Sequence, residues 1–212
     1  MLAPIDERRP MKDTDLQTLA DAYAFIGNSL LKPMTQTEPV GLDPAFWDAF
    51  PDFGSAEVAA AVGACRAFAE EAQDRNAVGE DMVERVSMEF TKLFVGPPSP
   101  SAPPWETMNR EEGVTVGFGQ PTFAMQDILR DMGLRVSNEN NQYADHMGIE
   151  LLALSEMCRR AEGDALPESA VAFIEARPAG WAPALHGKVH EAYPGGYFDS
   201  LLTLAEALLQ VR

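Results

Sequence analysis

Positive charge is scarce in this sequence: 16 Lys and Arg stand against 33 Asp and Glu, for a formal net charge of −17. Repulsion makes nucleic acids and anionic membrane surfaces poor partners for such a chain. A basic peptide or a cation is the partner that it attracts, although acidity that serves solubility alone looks the same. Cysteine is nearly absent. Cys65 and Cys158 lie far apart in apolar, helix-forming surroundings, which fits buried reduced thiols and excludes a disulfide framework or a zinc-ligand pattern. No run approaches the ~20 apolar residues that span a bilayer, and the first ten residues lack the apolar core of a secretory signal. A soluble, cytoplasmic protein without stable membrane insertion is expected.

The chemical motifs are missing as well. There is no G-x-x-x-x-G-K-[ST] and no G-x-S-x-G, and Gly117-Phe118-Gly119 is too short for a nucleotide fingerprint. His186 and His190 are four apart, a spacing that can present both to a metal from one helix, but no third ligand is near in sequence. His146 and Glu150 share that spacing and that shortage. The expectation is a protein that is not an enzyme, with no metal and no cofactor.

What is present is helical periodicity. At 212 residues the chain is sized for one domain. Residues 1–12 are polar, hold two prolines and are expected to be flexible. The domain is expected over 13–212, with Asp13 or Thr14 capping its first helix. Leu16, Leu19, Tyr23, Ile26 and Leu30 form one apolar stripe, which Pro33 closes. Asp43-Pro44 reads as an N-cap followed by proline in the first turn, starting a short helix with Phe46, Trp47 and Phe50. Further helices are expected from Ser55 to about Gln73, Glu80 to Phe94, Thr122 to Gly133, Ala144 to Ala161, Pro167 to Ala176, Trp181 to Ala192, and Tyr197 to Val211. The 144–161 helix is apolar on several sides and reads as central. No strand alternation and no internal repeat is found, so the fold class is an all-α, single-domain helical bundle.

One long connection interrupts the helices. Residues 96–121 are rich in glycine and proline and carry no helical stripe. Pro97, Pro98, Pro100, Pro103 and Pro104 stiffen the stretch, which sets it apart from a flexible linker. Gly96 is expected to supply a backbone angle or a close approach closed to other residues. Thereafter Ser137 to Gln142 read as a polar loop.

Two segments carry a resemblance. The first is Glu89-Phe90-Thr91-Lys92-Leu93-Phe94-Val95-Gly96-Pro97, continuing to Ala102-Pro103-Pro104-Trp105-Glu106-Thr107. The second, about forty residues on, is Asp145-His146-Met147-Gly148-Ile149-Glu150-Leu151. In this order they resemble the TorD/DmsD/NarJ superfamily of redox-enzyme maturation chaperones, with its E-F/Y-x-x-L-F-x-G-P turn, A-P-P-W-E-S loop and D-H-x-x-x-E-L helix start. Two positions depart from that pattern. Gln142-Tyr143 replaces a frequent Glu-Pro, and Thr107 stands where serine is commoner. The resemblance implies an all-helical TorD/DmsD-type domain that binds the twin-arginine signal peptide of a DMSO/TMAO-reductase-like molybdoenzyme. It implies the apo form of a molybdopterin oxidoreductase as the second partner, and a monomer or a helix-swapped dimer. A NarJ-like factor for an enzyme without an export signal is the alternative, and a generic helical interaction module is another.

The expected signal-peptide site comprises Leu93, Phe94, Gly96, Pro97, Pro103, Pro104, Trp105, Asp145, His146 and Glu150. The loop with its aromatic ends forms a groove wall, or else Phe94 and Trp105 are core and the prolines only turn a corner. Asp145 pairs with an arginine of the peptide, or is a plain N-cap. His146 takes part in binding, or packs as a hydrogen-bonded core residue. The ten methionines suit an adaptable apolar groove and an ordinary core alike.

Overall fold

In a computed structural model, residues 13–110, 113–136, 142–163 and 165–211 are described. The expected flexible segment 1–12 and most of the polar loop, 137–141, lie outside them. The helices are α1 (Asp13–Ser29), α2 (Pro44–Asp48), α3 (Ala56–Ala77), α4 (Met82–Phe90), α5 (Gln120–Asp131), α6 (Met147–Arg160), α7 (Glu168–Ala176), α8 (Ala182–Ala192) and α9 (Tyr197–Leu208). Among the described residues no strand occurs, and β-type pairing is confined to one isolated bridge, Trp105 with His146. The all-α expectation holds, and among the described residues no helix is long and apolar enough to cross a membrane.

The helices arise where local chemistry starts them. Asp43 accepts a hydrogen bond from Ala45 N, Ser55 from Val58 N, and Asp81 from Glu84 N, which satisfies amide groups that would otherwise lack a partner. The α1 stripe is fully interior, with Leu16, Leu19, Tyr23, Ile26 and Leu30 all buried. Tyr23 donates its hydroxyl to the Leu208 carbonyl at 3.0 Å and so ties α1 to the end of α9. Helix α3 runs a turn past its expected end.

The segment expected as one helix over 80–94 is α4 followed by a π-type turn over Thr91–Val95. That extra winding ends at Gly96, whose φ is 95°. A Cβ there would meet the Ser99 backbone at 3.0 Å, so the position demands glycine on both counts. The chain then doubles back: Ala102 N donates to Leu93 O at 2.8 Å and Ser101 N to Lys92 O at 3.1 Å.

Helix α6 is central, as its all-round apolarity suggested. It packs along α1 at a glycine crossing, where a Cβ on Gly148 would lie 2.5 Å from Gly27 O and one on Gly27 would lie 2.8 Å from Gly148 O. Only two glycines let the backbones come this close. The crossing fixes the first turn of α6, and with it the Asp145-His146 pair, against the body of the bundle.

Candidate functional site

The two specific segments meet in space. Glu106 N donates to Asp145 O at 2.8 Å, and Met147 N donates to Pro104 O at 2.9 Å. The stiff loop is thereby stitched to the entry of α6. Asp145 is fully buried and holds the loop further. Its Oδ2 accepts from Thr107 N at 3.0 Å and Thr107 Oγ1 at 2.6 Å, and its Oδ1 accepts from Thr122 Oγ1 at 2.9 Å. The departure from serine at Thr107 keeps the hydroxyl, and the added methyl packs over Gly119, where a Cβ would come within 2.8 Å of it. Asn109 adds a second fastening by donating Nδ2 to Pro103 O at 2.7 Å and Trp105 O at 2.8 Å.

These contacts revise the reading of the Asp-His pair. Asp145 does not cap α6, and with every side of its carboxylate enclosed it presents nothing to an external arginine in this conformation. The N-cap is His146, whose Nδ1 accepts from Gly148 N at 3.0 Å. Burial pushes this imidazole down to about 3, so it is neutral and carries its proton on Nε2.

Glu150 is also fully buried. Its Oε2 accepts from Trp181 Nε1 at 3.0 Å, and Oε1 lies 3.4 Å from the Arg177 guanidinium. The same guanidinium reaches Glu106 Oε2 at 2.8 Å, while Arg110 Nε bonds Glu106 Oε1 at 2.5 Å. Burial first, and the neighbouring Glu106 second, hold the Glu150 carboxyl well above the usual carboxylate range, against the opposing pull of Arg177. This cluster joins the loop, α6 and the α7–α8 connection. His146 and Glu150, one turn apart, address different partners and do not form a ligand pair.

The other expected residues separate. Leu93 and Phe94 are buried, with Phe94 packed against Phe90 and Phe198 at ring distances of 5.5 and 5.1 Å, which is the core reading. Gly96 and Pro97 line a depression of about 370 Å³ with Pro33, Glu84 and Met88. Pro103, Pro104 and Trp105 stay with Asp145, His146 and Glu150. Trp105 is half-buried, and its Nε1 is enclosed without a hydrogen-bond partner among the described residues.

Beside Trp105 lies an aromatic face that the sequence reading passed over. Phe118, Phe123 and Tyr143 are 42%, 48% and 40% exposed. Phe118 meets Phe123 edge-on at 4.9 Å and Tyr143 in a tilted contact at 5.4 Å, and Trp105 meets Tyr143 at 6.0 Å. Phe118 and Tyr143 open a cavity of about 530 Å³. Its Leu129, Leu134, Val136 and Gln142 walls continue into a second cavity of about 310 Å³, floored by Leu31, Ile149 and Leu152. The signal was there to be read: Phe118 and Phe123 are large apolar residues on either side of Gly119 and Pro121, where no helical stripe accounts for Phe118.

His186 gains neighbours unseen in sequence: Nε2 lies 3.0 Å from Asp199 Oδ1, and Nδ1 lies 2.9 Å from Glu206 Oε1. Hydrogen bonding to Glu206 raises its pKa. Among the described residues no group of three His, Cys, Asp or Glu side chains is arranged to hold a metal ion.

The model of the nitrate reductase delta subunit family matches residues 55–186, well over half of the chain. The chain belongs to this family. It is the NarJ/TorD-like group of redox-enzyme maturation chaperones that the two segments pointed to, and both stitched segments of the site, 104–106 and 145–147, fall inside the match. The chain is also similar to the Tat proofreading chaperone DmsD of Salmonella typhi, 32% identical over 71 residues. The DmsD proteins of Salmonella paratyphi A and Salmonella typhimurium match to the same extent. Those 71 residues are 32% of this chain and 33% of each relative, so the matches span about a third of the relatives' length.

Proposed function

We propose that this protein is a cytoplasmic chaperone, not an enzyme, that binds the twin-arginine leader of a molybdenum oxidoreductase and shields it while the apo-enzyme acquires its cofactor. The observation that carries the reading is the exposed Phe118–Phe123–Tyr143 face opening into an apolar groove beside the stitched loop. A leader of this kind is two arginines followed by an apolar stretch. Guanidinium planes stack on aromatic faces, and the apolar stretch gains by leaving water for a groove of ordinary ligand-site volume. The net charge of −17 draws the basic leader in, most strongly at low salt. Trp105 borders the face with an unused donor in Nε1. Asp145, His146 and Glu150 serve by fixing the loop that carries Trp105, and Pro103 and Pro104 by stiffening it.

A NarJ-like role toward an enzyme without an export signal is the second reading, and the description of the matching family favours it. Affinity capture from the native host separates the two. The proposed role requires a molybdopterin oxidoreductase as client, and loss of capture when its leader is deleted. Capture that survives the deletion moves the function to the second reading, and capture of unrelated proteins alone rejects both.

A further inference from the structure

Helix α8 is fastened on two sides. On one, His186 lies between two carboxylates of α9, with Nε2 3.0 Å from Asp199 Oδ1 and Nδ1 2.9 Å from Glu206 Oε1. An ionised carboxylate accepts hydrogen bonds and cannot donate one. A neutral imidazole donates from one nitrogen only, so it satisfies one of these contacts and sets its lone pair against the oxygens of the other. The imidazolium donates to both. The geometry therefore fits the charged ring, which ties α8 to the first and last turns of α9. Hydrogen bonding to Glu206, ahead of the opposing cost of burial, favours the same state.

Other groups face this pair. His190, one turn along α8, puts Nδ1 3.1 Å from both Asp199 oxygens. Gly195 N donates to Asp199 Oδ2 at 2.7 Å, and Thr203 Oγ1 lies 3.3 Å from His186 Nε2. Glu89 on α4 accepts from the first amides of α9 and is repelled by the Asp199 charge. On the far side of α8, Lys188 donates Nζ to Met108 O at 3.1 Å and to Asn109 Oδ1 at 2.8 Å. Asn109 is the residue whose amide holds Pro103 O and Trp105 O. Positions two apart are separated by about 200° around a helix, so α8 bridges the carboxylates of α9 and the loop that carries Trp105.

We propose that His186 is a proton-operated latch: as the imidazolium it clasps α8 to α9, and through Lys188 and Asn109 on the far side it sets how firmly the 103–109 loop is held. The latch is closed below about 6.5, the ordinary histidine value, and opens as pH rises through the raised folded value. It does not depend on what the loop holds, so its test needs no ligand.

The chain has three histidines and three tryptophans, so both ends of the path can be resolved by NMR in the whole protein. Protein carrying 13C-histidine and 5-fluorotryptophan is titrated from about pH 5.5 to about pH 9, a window centred on histidine chemistry. His186→Gln and Trp105→Phe assign the two resonances. In the wild type, His186 is expected to titrate above about 6.5, and the Trp105 fluorine resonance to move with the same midpoint. His186→Gln should abolish that movement, Lys188→Met should abolish it while His186 still titrates, and Glu89→Gln should leave it in place. A Trp105 resonance that stays still through the wild-type His186 titration overturns the latch, whatever the variants do. So does movement that persists in His186→Gln or Lys188→Met, or that is lost in Glu89→Gln.

Discussion

Asp145→Ala isolates what the most motif-like carboxylate does. The substitution deletes an acceptor of three hydrogen bonds, from Thr107 N, Thr107 Oγ1 and Thr122 Oγ1, at a fully buried position. Hydrogen bonds to a charged group contribute about 1.5–3 kcal/mol each, and they are not additive within one network. The orphaned Thr107 amide adds a desolvation cost, so a loss of about 3–5 kcal/mol is expected. For a chain of this size that corresponds to a melting temperature lower by about 6–20 °C. Urea titration should give a lower midpoint with an unchanged slope. Thr122→Val should lose less, and its cost should shrink in the Asp145→Ala background because the two groups are partners. Leader affinity should fall only as far as the 104–107 loop loosens. A variant that melts within about 2 °C of wild type yet loses all leader binding would show that Asp145 meets the peptide directly, and the clamp reading would be wrong.

The remaining expectations concern protons and thiols. Glu89 is pushed up to about 6 by burial, against the hydrogen bonds it accepts from Phe198 N and Tyr197 N at the start of α9. Because its folded value exceeds its unfolded one, the folded state binds the extra proton, and stability from this group falls as pH rises from about 4.5 to 6. Glu89→Gln should remove that slope in pH-dependent melting and be no less stable at pH 7; a variant markedly less stable there contradicts the burial argument. His146, depressed to about 3, has the opposite sign: its contribution is complete above about 6.5 and is lost as pH falls toward 3. His146→Asn retains an N-cap acceptor and should flatten the acid limb of the stability profile. The thiols of Cys65 and Cys158, raised to about 12 and about 11 by burial, should resist alkylation at pH 8 in the native protein and react in denaturant; native labelling of either refutes the burial assigned to it.

Sequence and structure agree where the forces are local. The α1 stripe, the Asp43-Pro44 start, the Ser55 cap and the glycine demand at Gly96 all follow from neighbours within a few residues, and the structure has them. The disagreements are tertiary. Nothing in the spacing says that Pro104 and Met147 share a hydrogen bond, so locally Asp145 reads as a cap or an arginine partner and His146 as a binding or packing residue, when the pair is a clamp and a cap. Leu93 and Phe94 fall inside a motif, yet the π-type winding of 91–95 turns both into the core. Glu106 sits inside the quoted loop, but its tie to Arg177 across some seventy residues of sequence gave no local sign. Phe118 and Phe123 were visible as apolar residues, and their exposure was not, because it depends on which neighbours the loop leaves uncovered.

The central claim is that a basic, apolar leader is held by the aromatic face. Its most direct test is the dissociation constant of the client's leader peptide for wild type and for Phe118→Ser/Tyr143→Ser, a pair of exposed substitutions that should leave melting nearly unchanged. Lost stacking and lost apolar contact together are worth about 2 kcal/mol or more, so binding should weaken by at least about tenfold. Equal affinity in a folded double variant would contradict the claim.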